Sequence, residues 1–218
     1  MSELRIDPTL DDLTPEQLRA VMPRCDVATW HPLLVAAMAP RGIVTPARVC
    51  AVLAQVAHES GELRRLEEVL SYTAERLMQV WPKRFPTLES ATPYARAPEA
   101  LANHVYANRL GNDGAGDGWR YRGGGLIMLT GRANHAEAAE GTGLGLVEHP
   151  EILRTPGPAP AVTACWFWQS KGCNELADAT TGSMPEDAFR KLTRRINGGL
   201  TGLTERMAYW TKAKEVIS

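Results

Sequence analysis

Apolar residues in this chain recur mostly three and four positions apart, the spacing of helices with one buried face. The clearest run starts at Thr45, a capping residue, and Pro46, which loses nothing by lacking an amide proton in a first helical turn. Val49, Val52, Leu53, Val56 and Ala57 then mark a core face, and His58, Glu59 and Ser60 follow before Gly61 ends the run. Other helices are predicted from Thr14, over Trp30–Met38, over 73–85 with Thr73 as cap, and over Ala100–Leu110. Further along, the pattern predicts helices from Gly131 through Glu140, over the strongly apolar Ala161–Ser170, over Glu186–Ile196 and over Thr204–Val216. Trp119–Thr130 is the one strand-like region, a tight turn at Gly123-Gly124-Gly125 feeding Leu126-Ile127-Met128-Leu129. The preceding GNDGAGDG (111–118) reads as a mobile loop or hinge, residues 1–12 as a loose arm, and the prolines at 150, 156, 158 and 160 as a connection. The expected fold is mostly α with a small β element.

Composition narrows the class without naming a partner. At 218 residues the chain can bury a substantial core, and 44% apolar with 22% charged residues is ordinary for a soluble globular protein. A formal charge of -1 gives no global attraction to nucleic acid, so none is expected as a partner. The polar, acidic start lacks the pattern of a secretory signal, and no apolar run reaches the length of a membrane span. Synthesis in a cytoplasm and no stable membrane insertion are therefore expected. Cys25, Cys50, Cys165 and Cys173 are dispersed, with no CxxC pair, and buried free thiols are the expectation.

Chemistry concentrates at four places. His58-Glu59 puts a carboxylate where a core helix runs out, but position 62 is Glu62, so the HExxH pattern of a zinc protease is missing. No metal or cofactor is called for. Glu67-Glu68 is a second acidic pair, and the nine residues from Glu59 to Glu68 would span about 13 Å in an unbroken helix. A break at Gly61 lets the chain fold back, and two carboxyls about 6.5–9.5 Å apart suit an inverting glycosidase. Read locally, the pair is more simply a solvated cluster with Arg64 and Arg65. Third, YRGGGLIMLTGRANH (121–135) fits no phosphate-loop pattern; Thr130 and Asn134, four apart, can share a face. Fourth, Asn197-Gly198-Gly199 is a helix stop that can also offer an amide to a sugar. The basic stripe before it (Arg190, Lys191, Arg194, Arg195) is a solvated face or a contact for an anionic wall.

In this order, LAQVAHESGELRRLEE (53–68), LSYTAERL (70–77), YRGGGLIMLTGRANH (121–135) and INGGL (196–200) resemble family 19 glycoside hydrolases, in particular compact phage and prophage endolysins. TPEQLRAVMP (14–23) resembles the start of such endolysins. The resemblance implies a lysozyme-like fold of two lobes, roughly 1–72 with 119–218 and 73–118, within one catalytic domain and with a substrate groove between the lobes. It implies cleavage of β-1,4 bonds between N-acetylated amino sugars, with inversion, in peptidoglycan glycan strands or in chitin. By position, Glu59 is then the general acid, Glu68 the general base, with Glu67 as the alternative, and Thr130 the hydroxyl that positions water. His58, Tyr121, Asn134 and Asn197 line the groove or orient the acid. Gly124 stands where the family commonly has arginine, Met128 where it has glutamine, and His135 where it has tyrosine. The resemblance further implies a monomer released to the wall by a holin; a chitinase or an antagonism effector of the same activity is the alternative.

Overall fold

The computed structural model describes residues 13–217, and the arm expected over residues 1–12 lies outside them. It is mostly helical, as the apolar spacing implies. The chain forms two compact units. The first takes the residues up to Leu66, Gly125–Ile127 and the chain from Thr155 onward. The second takes Glu67–Gly124 and Met128–Arg154, so it is larger than the small lobe anticipated over 73–118. The extra segment belongs there because Gly131 N–H donates to the Tyr121 carbonyl and Ala133 N–H to the Leu110 carbonyl, at 2.8 and 2.9 Å.

The first unit is built on the helix Pro46–Ser60, capped by the Thr45 hydroxyl, which accepts from Arg48 N–H. Its residues Val49–Ala57 are buried. The closing helix, Leu203–Val216, packs along it, with Trp210 stacked on Phe189 of the helix Pro185–Asn197. Thr14 and Gln17 form a reciprocal capping box at the first helix, Pro15–Val21. The next helix, Val27–Met38, starts three residues before the expected Trp30, because Asp26 caps it by accepting from Thr29 N–H. Pro158 and Pro160 belong to the first turn of Pro158–Ser170 rather than to a connection, since proline's missing amide proton costs nothing there. All four cysteines are buried and free.

Past Ser60 the chain does something the pattern did not announce. Gly61, Glu62 and Leu63 are all left-handed, with φ of 58°, 65° and 62°. For a residue with a side chain this costs about 1–2 kcal/mol each, so Glu62 and Leu63 must be held. Ser60 Oγ accepts from Leu63 N–H at 2.8 Å while donating to the Val56 carbonyl. The buried Glu62 carboxylate takes Arg24 through its backbone N–H, Nε and Nη2, and also accepts from the Tyr209 hydroxyl. Burial alone would raise the Glu62 carboxyl, but the hydrogen bonds and charge of Arg24 outweigh it and it titrates below the ordinary value.

The second unit has its own core of Leu70, Leu77, Phe85, Leu101 and Val105. It includes the helices Ala74–Val80, Pro98–Val105 and Arg132–Thr142. The glycine-rich segment, expected as a mobile loop or hinge, is a fastened junction. Asn112 is buried and accepts from Arg132 N–H, and Asp117–Arg120 forms a helical turn pressed onto Pro98–Val105. A Cβ on Gly118 would lie 2.4 Å from the Ala102 carbonyl oxygen, so only glycine permits that approach. The strand-like reading of Trp119–Thr130 is corrected too. Among the described residues the β element is reduced to single bridges, Glu67 with Gly124 and Gly124 with Leu129. Positive φ at Gly125 (79°) and Met128 (53°) turns the apolar run back on itself instead of extending it.

Candidate active site

In the first unit, Glu59 occupies the last turn of Pro46–Ser60, and its carboxylate is 18% exposed. Its Oε1 accepts from Arg206 Nη2 at 2.5 Å. Arg206, 1% exposed, also donates from Nη1 to Gln55 Oε1 at 2.6 Å and from Nε to the Thr201 carbonyl. Gln55 in turn donates to Thr193 Oγ1 at 3.0 Å. A buried guanidinium is tolerated only with such a full set of acceptors. The result is an interior polar chain that fixes a carboxylate at the surface. His58 lies against Gly202, where a Cβ would come 2.0 Å from the imidazole Cε1. Burial, followed by the nearby Arg206 charge, lowers the His58 pKa, so its ring is neutral at neutral pH. Asn197 ends the helix Pro185–Asn197, one turn beyond Thr193, and is half-buried beside the left-handed Gly198.

In the second unit the two acidic neighbours have different partners. Glu67 Oε1 pairs with Arg122 Nε at 2.6 Å, and the Arg122 guanidinium lies 3.6 Å from the Trp119 ring centre. Glu68 Oε1 accepts from Gly123 N–H at 2.6 Å and Oε2 from the Tyr106 hydroxyl at 2.8 Å. Burial, then the charge of Glu68, raises the Tyr106 phenol well above its ordinary value, so it remains a donor. A Cβ built on Gly123 would lie 3.2 Å from both Glu68 Cδ and Thr130 Oγ1. The carboxyl and the hydroxyl thus both close on Gly123, an approach that a side chain at this position would crowd. Thr130 Oγ1 donates its proton to the Met128 carbonyl at 2.9 Å, leaving its lone pairs as acceptors. Asn134 folds back to donate to the Thr130 carbonyl at 2.7 Å, fixing that residue rather than reaching out beside it.

One expectation is corrected. Tyr121 is 3% exposed, with its hydroxyl donating to the Val147 carbonyl at 3.0 Å and its ring edge-on to the buried His135. It supports the turn with its hydroxyl already engaged and nearly all of its surface buried. Arg206 and Glu62 were missed, and Arg206 had a signal. It shares the buried stripe of the closing helix with Trp210 and Ala213, four and seven positions on, where a charged residue needs a partner.

No family model matches the chain. Over 167 residues it is 41% identical to a "Glycosyl hydrolase family 19 domain-containing protein" of Haemophilus influenzae, an alignment spanning 76% of this chain and 78% of that protein. It is 32% identical over 94 residues to Chitinase 8 of Oryza sativa, covering 37% of this chain and 35% of that one. The fold is similar to that of chitinase C from Streptomyces griseus, with a TM-score of 0.66 and 18% identity over 99% of this chain and 79% of that one. It is also similar to a bacterial family 19 chitinase, with a TM-score of 0.62 and 20% identity over 94% of each chain.

Proposed function

The chain belongs to glycosyl hydrolase family 19, and from that premise we propose that it is an endolysin-type peptidoglycan hydrolase. In this reading it cuts β-1,4 bonds between N-acetylated amino sugars with inversion. Glu59 donates a proton to the leaving glycosidic oxygen as that bond breaks. Glu68 takes a proton from the water whose oxygen bonds to the anomeric carbon on the opposite face. The observation that supports the reaction is the convergence of the Glu68 carboxyl and the Thr130 hydroxyl on the same glycine, Gly123. Both are acceptors there, because the Thr130 proton is used by the Met128 carbonyl. A water seated between them donates both protons and leaves its lone pairs for attack. Glu67, paired with Arg122, has no part in the proton transfer. His58 and Asn197 contact sugar hydroxyls or acetamides, and Asn134 acts by fixing Thr130.

Wall glycan is preferred as the polymer because the motifs of the chain resemble those of compact phage and prophage endolysins and the alignment over most of the chain is with a bacterial protein. The sequence relatives named chitinases align over 37–51% of the chain, and the chitinases of known structure share its fold over 94–99% of it at 18–20% identity. Those names support chitin as the second reading. As an endolysin the enzyme acts as a monomer, is made in the cytoplasm of a bacterial host, and reaches the wall through a holin. The test is to assay the purified protein on bacterial sacculi and on chitin side by side. Release from sacculi supports the proposal, and turnover of chitin alone refutes the choice of polymer. Glu59→Gln is expected to abolish release, since an amide cannot serve as the acid, while the circular dichroism of the fold is kept and the melt falls because the buried Arg206 loses its anionic partner; near-normal activity of that variant refutes the assignment.

A further inference from the structure

The basic face of the helix Pro185–Asn197, opposite in character to its buried Thr193, is not used by the chemistry above. Arg190 is offset by Glu186, 3.9 Å away, and Arg195 donates to the Lys171 carbonyl with Glu175 close by at Gly172. No ion pair among the described residues takes up Lys191 or Arg194. Lys191 stands three and four positions before Arg194 and Arg195, a spacing at which like charges destabilise a helix. Arginines in a last turn are favoured by the helix dipole, but Lys191 lies in mid-helix, beyond that effect.

These three cations, with Leu176, line a hollow of about 390 Å³. A second hollow of about 480 Å³ shares Leu176 and Lys191 with it. That one is apolar along Ala179, Ala188 and Met184, and Met184 is 64% exposed. Asp187 lies on this apolar side, so an anionic ligand is oriented with its charge toward Lys191 and Arg194. The cleft thus pairs a cationic end with a lining for small apolar groups, in a protein whose net charge is -1.

We propose that this cleft is a second binding site, for a short peptide bearing free carboxylates and small apolar side chains. That is the chemistry of the stem peptides carried by wall glycan, and the inference rests on peptidoglycan being the polymer. Chitin, neutral and without peptide, offers this cleft nothing. The site adds affinity for substrate without touching the reacting bond.

The test uses the full chain as Glu59→Gln, so that ligands survive, in calorimetric titrations. The ligands are a soluble disaccharide with its tetrapeptide stem, the same disaccharide stripped of the stem, a chitooligosaccharide and a single-stranded DNA oligomer. The stem-bearing fragment should bind about tenfold tighter than the stripped one, the scale of one or two charge-assisted contacts. Adding Lys191→Glu with Arg194→Glu should erase that difference and leave binding of the stripped fragment unchanged. The milder pair Lys191→Gln with Arg194→Gln should act in the same direction, with circular dichroism confirming the fold. Equal affinity for the two fragments overturns the proposal, and so does equal loss of DNA and stem binding, which marks a general polyanion patch. Stem-dependent binding that survives both pairs refutes the cleft alone. Wild-type protein that cuts chitin and not sacculi refutes the polymer instead.

Discussion

Gly123→Ala separates catalytic geometry from stability more cleanly than a carboxylate substitution. Gly123 has no left-handed backbone strain to aggravate, and its added methyl would sit 3.1 Å from Glu68 Cβ, 3.2 Å from Glu68 Cδ and 3.2 Å from Thr130 Oγ1. Each contact is a few tenths of an ångström too tight, so the Glu68 carboxyl or the Thr130 hydroxyl must shift. The unfolded chain loses entropy on Gly→Ala, a stabilisation of about 0.4–1 kcal/mol, which offsets much of the crowding. A change within about 3 °C in Tm is therefore expected at this chain length. Activity should respond far more, because a misplacement of about 1 Å can cost roughly a hundredfold. A shift of a few tenths, with a methyl intruding on the water's seat, is worth at least about tenfold in kcat/KM. Gly157→Ala, with nothing within 4 Å of its added methyl, is the control. The assay is initial-rate release of reducing ends from sacculi, beside a thermal melt of each variant. Wild-type turnover by Gly123→Ala would refute the water site. Loss of activity in step with a large fall in Tm would make Gly123 a packing position only.

Arg206→Met leaves Glu59 Oε1 and Gln55 Oε1 without their donor, and breaking such a buried pair costs about 3–5 kcal/mol. Thermal melting should therefore show a fall of about 10 °C, and an unchanged melt would contradict the polar chain behind Glu59. His58, His104 and His135 all have pKa values held below 6.5, first by burial, so the unfolded chain binds their protons more readily than the folded one. Their stabilisation is fully present above about pH 6.5 and is lost as pH falls through the lowered folded values. Melts from about pH 8 to about pH 5 should show that decline, flattened in His135→Phe, and a Tm independent of pH would refute it. Burial raises the thiols of Cys50 to about 11 and of Cys165 and Cys173 to about 12, and raises Cys25 as well. None should react with a thiol reagent at mild alkaline pH until denaturant is added; rapid labelling of the native protein would contradict their burial.

The sequence makes the central helix legible because every determinant of it is local: Thr45 caps it, Pro46 starts it, and Gly61 stops it. The stop matters, since an unbroken helix through Glu68 would have excluded the paired-carboxylate reading. What local pattern does not carry is the partner of each polar group. Arg206 reaches back 151 residues to Gln55, and Tyr121 finds its acceptor in Val147 across 26. An aromatic beside a glycine turn therefore reads as a groove residue although its hydroxyl is already bound. Trp119–Thr130 misled for the converse reason. Its short apolar run is that of a strand, while left-handed Met128 bends it into a turn whose carbonyl holds Thr130. The choice between Glu67 and Glu68 is likewise invisible in two adjacent identical letters. In space their surroundings differ, Arg122 pairing with Glu67 and Gly123 with Glu68, and the proposal of Glu68 as base rests on that difference.

The most direct measurement of the central claim is mass spectrometry of purified sacculi digested in heavy-oxygen water. An inverting hydrolase with Glu68 as base delivers that oxygen to each new sugar terminus. The fragments should therefore carry labelled reducing ends of N-acetylmuramic acid or N-acetylglucosamine, and Glu59→Gln should release none. Unlabelled anhydro ends would contradict the account, because an intramolecular attack needs no water and gives Glu68 and Thr130 nothing to position.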